Sequence, residues 1–220
     1  MTPQAGLFLS SIAFVGTHFL MSHPLRRPLA RRMGERAFQG LYSLISLILF
    51  GAMIYYYNKI GREPPLWDAG EAGWIVSTLL MWLGSILFVG SLVGNPALPG
   101  VRGPRGEAPK GVFVITRHPM MWGFALWGLV HLALVAMPKA MFLDGSIILL
   151  ALVGASMQDR KKEQLMGDRW HEWTAQTAFW PFARGIRSPG AFALITGTIV
   201  WLAATWLHPG DAAGPWRWLG

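Results

Sequence analysis

Apolar residues occur along this chain in six long runs, separated by connections rich in Gly, Pro and charged residues. A helix needs about 17 to 25 apolar residues to cross the ~30 Å hydrocarbon layer of a bilayer. The runs predict membrane spans over Ala5–Met21, Leu41–Tyr57, Gly73–Val93, Met120–Met137, Ala140–Met157 and Ala191–Leu207. The pattern therefore predicts an all-α integral membrane protein, a six-span transmembrane helical bundle that forms a single domain over residues 1–220.

The basic residues are concentrated in alternate connections. Connections 22–40, 94–119 and 158–190 hold five, four and six Lys or Arg residues, and the four of 94–119 are Arg102, Arg105, Lys110 and Arg117. The other side holds four: Lys59, Arg62, Lys139 and Arg217. The positive-inside rule then predicts that these basic connections are cytoplasmic and that both termini lie outside. Clusters beside spans predict contact with anionic lipids, so the net charge of +8 gives no reason to expect a nucleic-acid partner.

Three connections carry further structural predictions. Arginines at helix-like spacing in 22–40 indicate an interfacial helix. Met137-Pro138-Lys139 predicts a tight hairpin that pairs spans four and five. The segment 158–190 is expected to continue span five into the cytoplasm until Gly167 interrupts the helix. Its tryptophans and phenylalanines then favour a segment folded back against the membrane surface.

The candidate chemistry within the spans rests on histidine. The chain has no cysteine, so a transition metal would need imidazole, carboxylate or thioether ligands. His18 near the end of span one and His131 in span four lie within apolar helices, and neutral imidazole is the form that ligates a metal or haem iron. The alternative is a hydrogen bond between helices. Chain order places His18 and His131 at different depths, so His18 with His118 is the depth-matched alternative pair.

Arg117, His118 and Pro119 lie where span four leaves the inner surface. Pro119 suits the first helical turn, and a cation beside a helix N-terminus can bind phosphate or carboxylate. A topogenic arginine followed by a capping histidine explains the same residues. Glu163 is the sequence candidate for a carboxylate that faces this site, and a solvated charge beside Lys162 is its alternative.

The whole chain resembles the NnrU family of bacterial membrane proteins, which is similar to the plant zeta-carotene isomerases. The resemblance rests on His18, GERAFQGLYSLIS (34–46), RHPMMWG (117–123) and LWGLVH (126–131), together with DRKKEQLMG, WHEW and FWPF after span five. It implies haem b held by His18 and His131, with His118 as an additional family histidine. The implied function is a haem-dependent cis-trans isomerase acting on a polyene, an apolar small molecule, or a redox-linked factor in nitrogen-oxide metabolism.

A more distant likeness runs through KGVFVITRHPMMWG, Glu163 and Trp170 to the isoprenylcysteine and phospholipid methyltransferases. It implies an S-adenosylmethionine site at Arg117, His118 and Glu163. The family's Glu-Glu pair is here Lys162-Glu163, which removes one carboxylate and favours shared architecture over shared chemistry. A non-catalytic membrane assembly protein is the third interpretation.

Overall fold

A computed structural model describes residues 1–98, 104, 108–208 and 213–219, so Arg102 and Arg105 lie outside the described residues. Within those residues the chain is helical, with no strand. The helices are α1 (Pro3–Ser22), α2 (Arg26–Met33), α3 (Glu35–Ile60), α4 (Gly70–Gly90), α5 (Pro119–Val135), α6 (Pro138–Met166), α7 (Asp168–Gln176) and α8 (Ala191–Trp206). Two 3-10 helices cover Gly111–Val114 and Gly214–Trp218. The all-α prediction is confirmed.

Four of the helices are long and apolar enough to cross a membrane, namely α1, α3, α4 and α6. The helices over the fourth and sixth predicted spans are apolar but shorter. With 17 residues in α5 and 16 in α8, they extend about 26 and 24 Å at 1.5 Å per residue. Length and composition therefore establish four candidate spans, and the six-span arrangement stays a prediction.

Local chemistry sets several helix ends. The Thr2 hydroxyl accepts a hydrogen bond from the amide of Ala5 at 3.2 Å and caps α1. Helices α5 and α6 begin at Pro119 and Pro138, where a missing amide hydrogen costs nothing. Two residues separate α5 from α6, which confirms the tight hairpin. Helix α6 continues to Met166 and ends at Gly167, whose positive φ of 54° favours glycine, so the predicted extension and break are also confirmed.

One of two compact units comprises Met1–Asp68 and His131–Leu150. Within it, α1 and α3 pack antiparallel, and Gly6 lets the ring of Tyr56 approach to where a side chain would clash. Leu7, Phe14, Met53 and Leu143 form the buried core of this unit. The segment predicted as an interfacial helix is helical as α2, which has no buried residue, and its location at the membrane surface stays a prediction.

The second unit comprises Ala69–Val130 and Ala151–Gly220. Glycines bring its helix backbones close together. A Cβ on Gly197 of α8 would lie 2.6 Å from the Cα of Ile86 in α4, and one on Gly123 of α5 would lie 3.0 Å from the carbonyl oxygen of Gly84. The hydroxyl of Ser85 donates to the Gly197 carbonyl at 2.8 Å. Trp170 and Trp173 belong to the core of this unit.

Candidate functional site

His18 lies half-buried on the side of α1 that packs against α3. Its Nδ1 is 2.7 Å from the carbonyl oxygen of Phe14, one turn earlier in the helix. Its Nε2 is 3.3 Å from the hydroxyl oxygen of Ser46 on α3. The Phe14 ring lies 4.3 Å from the imidazole, centre to centre, and the Tyr42 ring lies 5.3 Å away, edge on. Apolar and aromatic neighbours thus enclose one polar ring.

These contacts assign the tautomer of His18. A carbonyl oxygen can only accept, so Nδ1 carries the hydrogen and donates it to Phe14. The hydroxyl of Ser46 already donates to the carbonyl of Tyr42 at 2.8 Å, which is shorter than its distance to His18. In the neutral ring, Nε2 therefore keeps its lone pair. A histidine whose other nitrogen is bound to a backbone carbonyl has the form required of a metal or haem ligand.

His131 lies half-buried in α5 and belongs to the same compact unit as His18. This unit also contains an apolar groove of about 390 Å³ between α1 and α6. Phe8, Ile12 and Val15 line it from α1, and Met141, Phe142 and Leu149 line it from α6, together with small glycine and serine residues of both helices. The unit thus combines two histidines within apolar helices with a mainly apolar groove.

His118 and Arg117 meet a carboxylate that sequence reasoning missed. Nε2 of His118 lies 2.8 Å from one oxygen of Asp159, and the guanidinium of Arg117 donates to the other oxygen through Nε at 2.8 Å and a terminal nitrogen at 2.6 Å. The His118 side chain has no exposed surface, and the other two side chains are mostly buried. A single carboxylate thus binds both polar residues of the RHP motif.

The chain after α7 encloses this cluster. The carbonyl of Phe179 accepts hydrogen bonds from the Thr116 hydroxyl at 2.6 Å and from the Trp122 indole at 2.8 Å. The backbone amide of Arg117 donates to the carbonyl of Ala178 at 2.8 Å. The Phe179 ring contacts the imidazole of His118 edge on and lies 5.5 Å from the Arg117 guanidinium. The segment FWPF (179–182) therefore fixes the position of the residues at the start of α5.

The space beside Arg117 and His118 is small. A cavity of about 20 Å³ is lined there by Asn95, Gln158 and the two methionines that follow Pro119. This is room for about one water molecule. Because Asp159 neutralises Arg117, phosphate or carboxylate would have to displace an existing ion pair. Nδ1 of His118 is buried without a hydrogen-bond partner among the described residues.

Of the two interpretations of Glu163, the structure supports the solvated charge over the carboxylate that faces Arg117 and His118. Its carboxylate lies 3.5 Å from Nε2 of His171 on α7, and both side chains are more than half exposed. Asp159 lies one helical turn earlier in α6 and makes the contacts expected of Glu163. Asp159 and Glu163 are four residues apart and therefore lie on the same face of a helix. This spacing identifies both as candidates but does not determine which carboxylate is buried.

Asp144 is a second carboxylate that the sequence reasoning overlooked. It lies within the apolar part of α6 and is only 3% exposed. The described residues give it no hydrogen bond or ion pair. They also contain no group of three or more His, Cys, Asp or Glu residues arranged to hold a metal ion. Among the described residues, the polar groups considered for chemistry are therefore the half-buried His18 and His131, the buried Asp144 and the Arg117–His118–Asp159 cluster.

The apolar helices and the polar residues enclosed among them define the class: a helical membrane protein. The family model described as NnrU protein matches residues 6–210, and the chain therefore belongs to the NnrU family. The likeness to the methyltransferases is not shown by the comparisons.

Two curated relatives carry the name 15-cis-zeta-carotene isomerase, chloroplastic. The chain is 25% identical over 190 residues to the protein of Arabidopsis thaliana, covering 83% of this chain and 50% of that protein. It is 27% identical over 183 residues to the protein of Zea mays, covering 80% and 49%. The chain therefore spans about half the length of these relatives. No solved structure matches it.

Proposed function

We propose that this protein is a six-span bacterial inner-membrane protein that binds haem b and catalyses the cis-trans isomerisation of a polyene. The observation that carries the proposal is the joint occurrence, in one compact unit, of His18, His131 and the apolar groove. Membership of the NnrU family and the distant similarity to zeta-carotene isomerases supply the reaction class. A redox-linked role in nitrogen-oxide metabolism is the alternative within the same family.

His18 and His131 are the residues that would hold the haem. The hydrogen bond from Nδ1 of His18 to the carbonyl of Phe14 leaves the lone pair of Nε2 for a ligand, so the donor chemistry of His18 would suit haem iron. When bound, haem b supplies an iron whose oxidation state and ligation can change. Isomerisation leaves the atoms and electrons of the polyene unchanged.

The apolar groove supplies the binding chemistry for such a substrate. A polyene gains affinity by removing its apolar surface from water or by replacing lipid contacts, and it needs few polar partners. The groove lining offers Phe8, Phe142 and aliphatic side chains, and Gly16 and Gly145 of the same lining contribute no side chain. In a membrane, a groove on helices α1 and α6 admits an apolar molecule sideways from the bilayer.

The geometry does not favour the methyltransferase alternative. S-adenosylmethionine is far larger than the cavity of about 20 Å³ beside Arg117 and His118. Arg117 is bound by Asp159, and Glu163 pairs with His171 at the surface. Among the described residues, the motif therefore forms a closed polar cluster.

The test is the pyridine haemochrome assay and visible spectrum of protein purified from haem-replete cells. We expect a haem b spectrum for the unaltered chain, and loss of haem in His18→Ala and His131→Ala. His171→Ala is the control and should retain haem, because the side chain of this exposed histidine is described in contact with the exposed Glu163 alone. A colourless preparation, with both variants spectrally identical to the unaltered protein, would overturn the haem assignment. Chromatographic analysis of a 15-cis polyene incubated with the reduced protein tests the isomerase activity.

A further inference from the structure

Helix α2 is a short amphipathic element at one end of the antiparallel pair α1 and α3. Both partner helices are long and apolar enough to cross a membrane, so the helix that joins them lies at the level of the lipid headgroups. Leu25, Leu29 and Met33 recur every fourth residue and therefore follow one side of α2. Leu25 and Met33 are 42% and 41% exposed and Leu29 is half-buried, so the two ends of this apolar stripe are left uncovered by the protein.

The arginines of this region are largely uncompensated. Arg26 pairs with Glu35 and lies over the ring of Phe38. By contrast, four exposed arginines have no hydrogen bond or ion pair within the described part of the chain: Arg27, Arg31, Arg32 and Arg36. The nearby carboxylate of Glu35 is already taken by Arg26 and Gln39. Four positive charges thus face outward beside an exposed apolar stripe.

From this arrangement we infer that α2 is a docking surface for anionic phospholipid headgroups, with Arg27, Arg31 and Arg32 as its phosphate-binding side chains. A guanidinium group can donate two hydrogen bonds to the oxygens of one phosphate. It binds a zwitterionic headgroup more weakly than an anionic one, because the ammonium group of the zwitterionic lipid offsets the phosphate charge. The stripe of Leu25, Leu29 and Met33 inserts at the boundary of the acyl chains. A soluble acidic protein or a nucleic acid would satisfy the arginines but leave the stripe in water, so the lipid surface is the better complement. This inference does not depend on haem.

The first experiment measures lipid binding by native mass spectrometry of the purified protein titrated with phosphatidylglycerol or phosphatidylcholine. We expect preferential binding of phosphatidylglycerol. At about 1 kcal/mol per arginine, the triple variant Arg27→Gln, Arg31→Gln, Arg32→Gln should bind it about a hundredfold more weakly. The matched control is Lys59→Gln, Arg62→Gln, Arg217→Gln, which removes the same charge from exposed positions in the connections predicted to lie on the other side of the membrane and should bind nearly as the unaltered chain does. Circular dichroism checks that each variant is folded.

The second experiment measures depth, and the absence of native cysteine makes it direct. A fluorophore attached to Met33→Cys in phosphatidylglycerol nanodiscs should be quenched by brominated lipid and shielded from aqueous iodide. Equal binding of both lipids, an equal loss in the two triple variants, or iodide quenching at residue 33 would each overturn the inference. Displacement of the lipid by a polynucleotide or polyaspartate at physiological salt would assign α2 to a soluble acidic partner instead.

Discussion

At the scale of single residues, the most informative contact joins Asp159 to Arg117 and His118. One carboxylate accepts hydrogen bonds from both side chains in a largely buried position. Removing one partner of such a pair leaves the others desolvated and unpaired, which costs more than the net value of the contact itself. The stability of the entry to α5 therefore depends on a residue that lies forty-one positions after His118.

We expect Asp159→Asn to lower the free energy of unfolding by about 1–3 kcal/mol, the usual cost of leaving buried polar groups unsatisfied. Tryptophan fluorescence during thermal unfolding in detergent micelles measures the change. The control is Glu163→Gln, one turn further along α6, where an exposed pair contributes at most about 1 kcal/mol. Equal effects of the two substitutions would contradict the assignment of Asp159.

For Asp144 we expect that removing the carboxylate does not destabilise the protein, which is the opposite of the effect expected at Asp159. A charged aspartate at the centre of a membrane helix costs roughly 2.5–3.5 kcal/mol, and the described residues offer Asp144 no hydrogen bond or ion pair to offset this. We therefore expect Asp144→Asn to leave the unfolding midpoint unchanged or higher, and Asp144→Leu to raise it further. Thermal unfolding in micelles provides the measurement. A clear loss of stability in Asp144→Asn would show that the carboxylate has a functional or structural partner.

At the scale of helices, close backbone contact is the main packing device of the unit formed by Ala69–Val130 and Ala151–Gly220. Ile86 of α4 faces Gly197 of α8 at a distance that excludes even a methyl group. Membrane helices gain little from apolar burial, since lipid is equally apolar, so dispersion contacts and hydrogen bonds between close helices carry the association. The hydrogen bonds from Ser85 to Gly197 and from Trp82 to Thr198 add to this contact.

Gly197→Ala should force α4 and α8 apart and destabilise the protein by about 1–3 kcal/mol, as overpacking does in a close-packed interior. We expect a lower midpoint temperature of thermal unfolding in detergent micelles, which is the measurement. Gly154→Ala in α6 is the control, because nothing lies within 4 Å of its added methyl group. That substitution should be neutral or stabilising by up to about 1 kcal/mol through helix propensity. A neutral Gly197→Ala would disprove the close contact.

At the scale of the whole molecule, the proposed function depends on how many helices cross the membrane and in which direction. The apolar lengths of α5 and α8 fall short of a full hydrocarbon layer, yet the basic residues alternate as six spans require. Short spans are accommodated by local thinning of the bilayer and by flanking residues that reach the interface. Charge distribution therefore favours six spans even though length alone identifies four.

Single cysteines introduced into this cysteine-free chain test the six-span arrangement. We expect Arg31→Cys and Arg187→Cys to react with a membrane-impermeant maleimide only after the inner membrane is opened. Arg62→Cys, in a connection predicted to lie outside, should react in spheroplasts that are intact. Labelling of Arg187→Cys from outside, together with protection of Arg62→Cys, would show that the orientation is reversed. Labelling of Arg31→Cys and Arg62→Cys from the same side of the membrane would show that α3 does not cross the bilayer.

Sequence reasoning located the helices because apolar length and proline or glycine punctuation act locally. Pro119, Pro138 and Gly167 end or begin helices for reasons that adjacent residues supply. The same reasoning expected the aromatic segment after Gly167 at the membrane surface. Trp180 is 61% exposed there, but Trp170 is 1% exposed in a core with Trp173. Which face of an amphipathic helix is buried depends on the segments that pack against it, and amino-acid composition does not identify those segments.

What the sequence by itself determined is the helical class, the helix positions, the family and the histidines that are candidates for haem, because each depends on local pattern or shared motif. Only the tertiary structure decided that Asp159, and not Glu163, meets Arg117 and His118, and that Asp144 is enclosed. It also revealed the groove between α1 and α6. These features depend on which distant parts of the chain pack together, a property that one-dimensional periodicity does not contain.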